Sequence, residues 1–185
     1  MQSKNSKTIS RRGFIGTSAV ALGGFTIIPA HAVSGLGHLA PSDKLNIAGI
    51  GIGGMGRVDL EDVGKTENIV ALCDVDWNSR VTSVFNTYPG AKKYKDYRRM
   101  LDIQKDIDAV IVATPDHSHA IISMEAIKRG KHTYTEKPLT HTVYEARKLT
   151  EAAREYKVAT QMGNQGQAGD GPRRLQEMIH DGVIG

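Results

Sequence analysis

Leu45-Asn-Ile-Ala-Gly-Ile-Gly-Ile-Gly-Gly-Met-Gly56 decides the fold of this chain. The apolar half reads as a buried strand and the second half as a glycine-rich turn leading into a helix-compatible stretch. Gly51, Gly53 and Gly56 stand at the G-x-G-x-x-G spacing. Gly51 permits the tight turn, Gly53 lets backbone approach a pyrophosphate, and Gly56 lets helix and strand pack closely. The turn, Gly51, Ile52, Gly53, Gly54, Met55 and Gly56, would then present amide donors and the positive end of a helix dipole to phosphates. A second apolar run, Ile69-Val-Ala-Leu-Cys-Asp74, ends in an acid 23 positions after Gly51. That separation suits a carboxylate accepting from a ribose diol, so the pair of features points to a dinucleotide site.

The front of the chain reads as an address. Ser10-Arg11-Arg12-Gly13-Phe14-Ile15 resembles the twin-arginine export signal. The apolar stretch from Phe14 to Ile28 is short and diluted by Gly16, Gly23 and Gly24, whereas a spanning helix needs about 20 apolar residues. Ala30-His31-Ala32 supplies a small-x-small cleavage pattern, so cutting after Ala32 is expected, with an uncleaved anchor as the competing reading. This divides the chain into a signal peptide over 1–32, a leader over 33–43, a folded domain over 44–165 and a linker helix over 166–185.

Charge follows the same division. The chain has 24 basic and 20 acidic residues, and Lys4, Lys7, Arg11 and Arg12 lie in the signal without an acid beside them. The rest balances at 20 against 20, which leaves no electrostatic footprint for nucleic acid. Lys92-Lys93 and Arg173-Arg174 read as solvated faces. The single Cys73 excludes an internal disulfide and reads as a small buried hydrophobe.

Downstream, strands alternate with helices. A helix is expected over Asp76–Thr87, a mixed segment over Tyr94–Leu101, and a strand buried on both faces over Asp108–Thr114. A helix over His119–Arg129 carries Ile122, Ala126 and Ile127 on one side and ends at Gly130. A strand over His132–Thr135 follows, then a helix over Thr142–Tyr156 with Val143, Ala146, Leu149 and Ala153 inward. A strand over Val158–Met162, a polar loop over 163–171 and a last helix opened by Pro172 and closed by Gly182 complete the chain. The alternation predicts an α/β fold, a doubly wound parallel sheet covered on both faces. Ligands on such sheets collect at the C-terminal strand ends, where Gly51, Asp74, Thr114, Glu136 and Gly163 all fall.

The ordered set of the glycine turn, Asp74, Ala113-Thr114-Pro115 with His119, Glu136-Lys137-Pro138 and the closing Gly182-Val-Ile-Gly185 resembles the Gfo/Idh/MocA family of glucose-fructose oxidoreductase and inositol dehydrogenase. The likeness runs from about Lys44 to Gly185. It implies a Rossmann domain here and a larger C-terminal α+β domain that this sequence does not contain, the source of the family's catalytic histidine and of most of the sugar pocket. This chain alone is then expected to bind a dinucleotide and turn over little.

The resemblance also implies roles. Lys137 is the counterpart of a catalytic lysine, able to hydrogen-bond a substrate hydroxyl and stabilise oxyanion character as hydride leaves. Burial beside a positive ring would favour its use in proton transfer. Glu136 is expected on the nicotinamide-side ribose, Thr114 and Pro115 under the cofactor, and His119 beside it. Asn164 and Gln165 are candidates for substrate hydroxyls. His117 and His119 suggest a metal only superficially, because no further ligand completes a site, and no metal is expected. Asp74 would repel a 2′-phosphate, which favours NAD over NADP, although Arg80 lies close in sequence.

The function these readings imply is an exported, periplasmic NAD-dependent oxidoreductase acting on a sugar or glycoside hydroxyl, with a tightly held cofactor carried by the twin-arginine machinery. Two alternatives stand beside it: a redox-assisted glycoside-cleaving enzyme, in which transient oxidation permits elimination, and a non-catalytic dinucleotide- or sugar-binding protein. A homo-oligomer, dimer or tetramer, is implied by the resemblance alone, and no stable membrane insertion is expected after cleavage.

Overall fold

A computed structural model describes residues 43–183. The signal peptide, its cleavage point and the leader up to residue 42 lie outside the described residues. Six strands form one sheet: β1 (Asn46–Ile50), β2 (Asn68–Cys73), β3 (Lys92–Tyr94), β4 (Ala109–Val112), β5 (His132–Glu136) and β6 (Thr160–Gly163). Their order is β3-β2-β1-β4-β5-β6, and all five pairings are parallel. The chain winds outward from β1 to one edge, then returns to start again at β4. The doubly wound parallel sheet expected from the alternation is the observed fold. Its switch point lies between β1 and β4, where such sheets open a crevice at their C-terminal ends.

Strand alternation divides the core between the two faces. Ala48, Ile50, Ala71, Cys73, Val110 and Val112 face Met100, Leu101, Ile122 and Ala126, which come from α3 (Tyr97–Ile103) and α4 (His119–Lys128). Ile47, Leu72 and Ile111 face Leu60, Val81, Val84 and Phe85 from α1 (Met55–Val63) and α2 (Ser79–Thr87). Leu60, Leu72, Val110 and Val112 are 0 % exposed, and burying an aliphatic side chain of this size contributes about 2 kcal/mol. Two-sided burial explains why these strands read as continuous apolar runs.

The remaining elements show where local signals mislead. The helix expected from Asp76 begins only at Ser79, because the Asn78 side chain accepts from the amides of Arg80 and Val81 and stops the helix there. Lys92 and Lys93 are solvated, as expected, but they also form the edge strand β3. Lysines on an edge discourage further strand pairing. On α5 (Val143–Tyr156) the buried residues are Leu149 and Ala152. Val143, expected inward, is 73 % exposed, because it sits in the first turn while packing against α4 happens further along. The polar loop after β6 contains a short 3-10 turn, Gln165–Gln167. The last helix, α6 (Asp170–His180), buries none of its residues against the described chain, and Gly182 follows it at φ +72°.

Candidate cofactor site and active-site cleft

The glycine turn is built as its spacing suggests. Gly51 has φ +80°, and a Cβ there would lie 2.6 Å from the Ala113 carbonyl oxygen at the end of β4. A Cβ on Gly56 would collide with the Gly51 carbonyl, so the start of α1 can press against β1 only without one. Ile52 contributes its backbone, since its side chain is fully buried in the core. Helix α1 starts with Gly54 as N-cap, no side-chain cap and no acid in its first turn. Its amide donors and positive end therefore meet no acid from the helix's own cap or first turn, which is the condition a pyrophosphate needs.

Asp74 closes this side of the site. Its Oδ2 accepts from the Ile52 amide at 2.9 Å and its Oδ1 from the Asp76 amide at 3.0 Å. Each carboxylate oxygen has two lone pairs, so both keep acceptor capacity for a diol. Beyond it lies a hollow of about 480 Å³ lined by Gly53, Gly54, Arg57, Ser79, Arg80 and Ser83. Arg80, noted for its proximity in sequence, is thus also near in space. Cys73 is buried as expected. Burial first, then Asp74 and Asp96, push its thiol up to about 12, which makes it inert.

Along the same C-terminal edge, the ends of β4, β5 and β6 open a cleft of about 560 Å³ that gathers Met55, Thr114, His119, Glu136, Lys137, Asn164 and Gln165. Residues from the ends of β4, β5 and β6 meet here because parallel strands all point their C-termini the same way. Pro115 does not line the cleft. It ends β4, and its carbonyl accepts from the Ser118 amide and hydroxyl. The Ser118 and Thr114 hydroxyls also lie within hydrogen-bond distance, 2.9 Å apart.

His119 is 1 % exposed, and its two ring nitrogens lie 2.7 Å from the carbonyl oxygens of Thr114 and Pro138. It ties the end of β4 to the loop after β5. Its nitrogens are occupied by backbone, so it shapes the cleft by holding two walls together. The peptide between Lys137 and Pro138 is cis. Lys137 points into the cleft but is exposed, in contrast to the burial expected for it; the described residues do not enclose it.

Glu136 is 4 % exposed and packs so closely on Gly163 that a Cβ at that position would overlap its carboxylate. Gln165 bridges the site: its amide nitrogen donates to Glu136 Oε1 at 3.3 Å, and its oxygen accepts from the Tyr134 hydroxyl at 3.3 Å. Gln165 therefore serves this network, whereas Asn164 keeps its side chain for the cleft. Tyr134, Ser118 and Asp116 were not singled out in the sequence. Tyr134 was visible only as an apolar strand residue, and its pairing with β6 is what carries it to Gln165.

The family model described as an oxidoreductase family with an NAD-binding Rossmann fold matches residues 45–164. The chain belongs to the Gfo/Idh/MocA family. Among curated Gfo/Idh/MocA relatives, it is 31% identical over 140 residues to the inositol 2-dehydrogenase/D-chiro-inositol 3-dehydrogenase of Lacticaseibacillus casei, covering 74% of this chain and 40% of that protein. It is 28% identical over 160 residues to glycosyl hydrolase family 109 protein 1 of Akkermansia muciniphila, covering 80% and 33%. The solved structure of GenD2 from gentamicin A biosynthesis, in complex with NAD, superposes with a TM-score of 0.61 at 27% identity, covering 76% of this chain and 37% of that one. The chain thus spans well under half the length of these relatives. The region matched is the family's NAD-binding domain, and the glycine turn, uncapped helix and Asp74 fit that cofactor.

Proposed function

We propose that this chain is the cofactor-binding half of an NAD-dependent oxidoreductase that oxidises a secondary hydroxyl of a sugar or glycoside. The observation that carries the reading is the meeting of Lys137, Glu136 and Thr114 in one cleft at the sheet's switch point, next to the glycine turn. The turn and the start of α1 hold the pyrophosphate, Asp74 the adenosine ribose and Glu136 the nicotinamide-side ribose. Bound NAD⁺ would supply the hydride acceptor for the carbinol carbon. Lys137, as the neutral amine, would accept the hydroxyl proton as hydride leaves, and the ammonium so formed would hydrogen-bond the oxygen and stabilise its remaining negative character. Asn164, beside Gln165 in the cleft wall, supplies further polar contact to substrate hydroxyls. Inositol dehydrogenases among the relatives support a polyol or sugar substrate.

Export to the periplasm through the twin-arginine route belongs to the same proposal and rests on Arg11, Arg12 and Phe14 and on Ala30-His31-Ala32. A folded chain crossing with its nucleotide in place fits a cofactor that is reduced and reoxidised without leaving. The glycosyl hydrolase relative favours a second reading, in which transient oxidation acidifies a neighbouring C–H and elimination cleaves the glycoside without net redox change. Lys137→Ala in the full-length protein tests both. Turnover is expected to fall by about a hundredfold or more with cofactor affinity kept, the scale of losing one positioned acid–base group. Unchanged turnover removes Lys137 from the mechanism. A keto-sugar accumulating with reduced cofactor selects the first reading, and glycoside cleavage at constant redox state the second.

A further inference from the structure

Asp59 is the buried acid that none of the roles above uses. It lies on α1, is 9 % exposed, and its Oδ2 is sealed from solvent with no hydrogen-bond partner among the described residues. Residues four apart share a helix face, so Asp59 stands one turn behind Met55, which lines the active-site cleft. It also lines a second hollow, of about 520 Å³, which meets the cleft at Met55 and Gln165. The charged or titratable groups facing it are Asp62 on α1 and His132, Tyr134 and Glu136 on β5. None is a fixed cation, and His132 already accepts from the Ala159 amide through Nδ1. Asp59 therefore stands behind the cleft wall that Glu136 lines, with no fixed cation among the groups facing it. A buried ionised carboxylate in that condition is costly.

A cationic group on the other side of that wall would relieve both acids. Nicotinamide is such a group, and only when oxidised. We propose that Asp59 is the buried counter-charge for the oxidised nicotinamide, so that NAD⁺ holds Asp59 ionised and NADH leaves it easier to protonate. The inference rests on the cofactor reading above and adds to it a residue that sets the preference between redox states. The substrate would give its C–H electron pair and proton to the ring as hydride, cancelling the ring's charge. The hydroxyl proton is released, and at a pH between the NAD⁺-bound and NADH-bound midpoints Asp59 takes up a proton from solvent. Burial, with Glu136 and Asp62 adding to it, already pushes the Asp59 carboxyl up to about 6, within reach of such a change.

The test is carboxyl ¹³C NMR of the aspartate-labelled chain, free and saturated with NAD⁺ or NADH, between about pH 4.5 and 8, paired with calorimetric affinities for the two nucleotides. The Asp59 midpoint is expected to fall by about one pH unit with NAD⁺ and to stay or rise with NADH, making NAD⁺ bind about fivefold more weakly at pH 5 than at pH 7.5. Asp59→Asn should weaken NAD⁺ about tenfold at neutral pH, leave NADH unchanged and remove the pH dependence. One midpoint in all three forms overturns the proposal, even if the variant does not fold. So does a variant that keeps the pH dependence, which would then belong to His132 or Glu136. In both cases nucleotide binding, and the cofactor reading with it, survives. A chain that binds neither nucleotide overturns both.

Discussion

Asp74 does two jobs with one carboxylate. It fixes the glycine turn by accepting from the Ile52 and Asp76 amides, and it keeps lone pairs for a ribose. A turn with only a structural acid would lose stability on substitution and nothing else. Asp74→Ala is therefore expected to lower chemical-denaturation stability by about 1–3 kcal/mol, for two amides left without an acceptor. It should also weaken NAD⁺ at least about tenfold by calorimetry, the scale of one charge-assisted pair of hydrogen bonds. A loss of stability with full NAD⁺ affinity would return Asp74 to the turn alone. This residue was legible because its chemistry is set by a short local spacing from Gly51. Asp59 and Tyr134 were not: their meaning comes from which side of α1 faces β5 and from the register of β5 on β6, and neither is encoded within a few residues.

At the scale of elements, a side chain that begins a helix decides where it starts. Helix α5 opens on a capping box, in which the Thr142 hydroxyl accepts from the Glu145 amide at 3.2 Å and Glu145 Oε2 accepts from the Thr142 amide at 2.8 Å. The Glu145 carboxylate takes the His141 amide as well, at 3.0 Å. The Thr142 amide first, with further help from the Thr142 hydroxyl and His141, holds its pKa below the usual carboxylate range. Thr142→Ala should cost about 1 kcal/mol in urea unfolding, with nucleotide affinity unchanged, because the cap lies away from the cleft. Other elements were blurred by competing signals. Asn78 looked like one more polar residue in a helix from Asp76, yet its cap to Arg80 and Val81 postpones the helix to Ser79. That delay leaves residues 75–78 to wrap Asp74, with the Asp76 amide and the Trp77 indole both bonded to it. Val143 carried a core residue's chemistry at a surface position, since an amphipathic pattern gives a period but not the point where contact with α4 begins.

Across the whole molecule, acids with opposite demands set how stability depends on pH. Asp96, which binds the Arg98 side chain and amide, and Glu145 are held more acidic than usual. What they contribute is present above the ordinary carboxylate range and lost as pH falls through it. Asp59 works the other way. Its folded value, about 6, lies above the usual 3.8, so the folded state binds the extra proton between these limits. Stability from this group rises as pH falls from about 7 towards 4, by about 1 kcal/mol between pH 7 and pH 5. The two effects oppose each other: as pH falls from about 7, Asp59 adds stability, and lower still Asp96 and Glu145 withdraw theirs. Denaturant midpoints of the wild-type chain and of Asp59→Asn at pH 5 and pH 7 separate the terms, because groups away from Asp59, Glu136 and Asp62 titrate alike in both. The wild type should gain about 1 kcal/mol over the variant on going from pH 7 to pH 5. Parallel pH profiles would mean that water or a cation already meets the Asp59 carboxylate in the folded chain. They would also remove the charge imbalance on which its coupling to the nicotinamide depends.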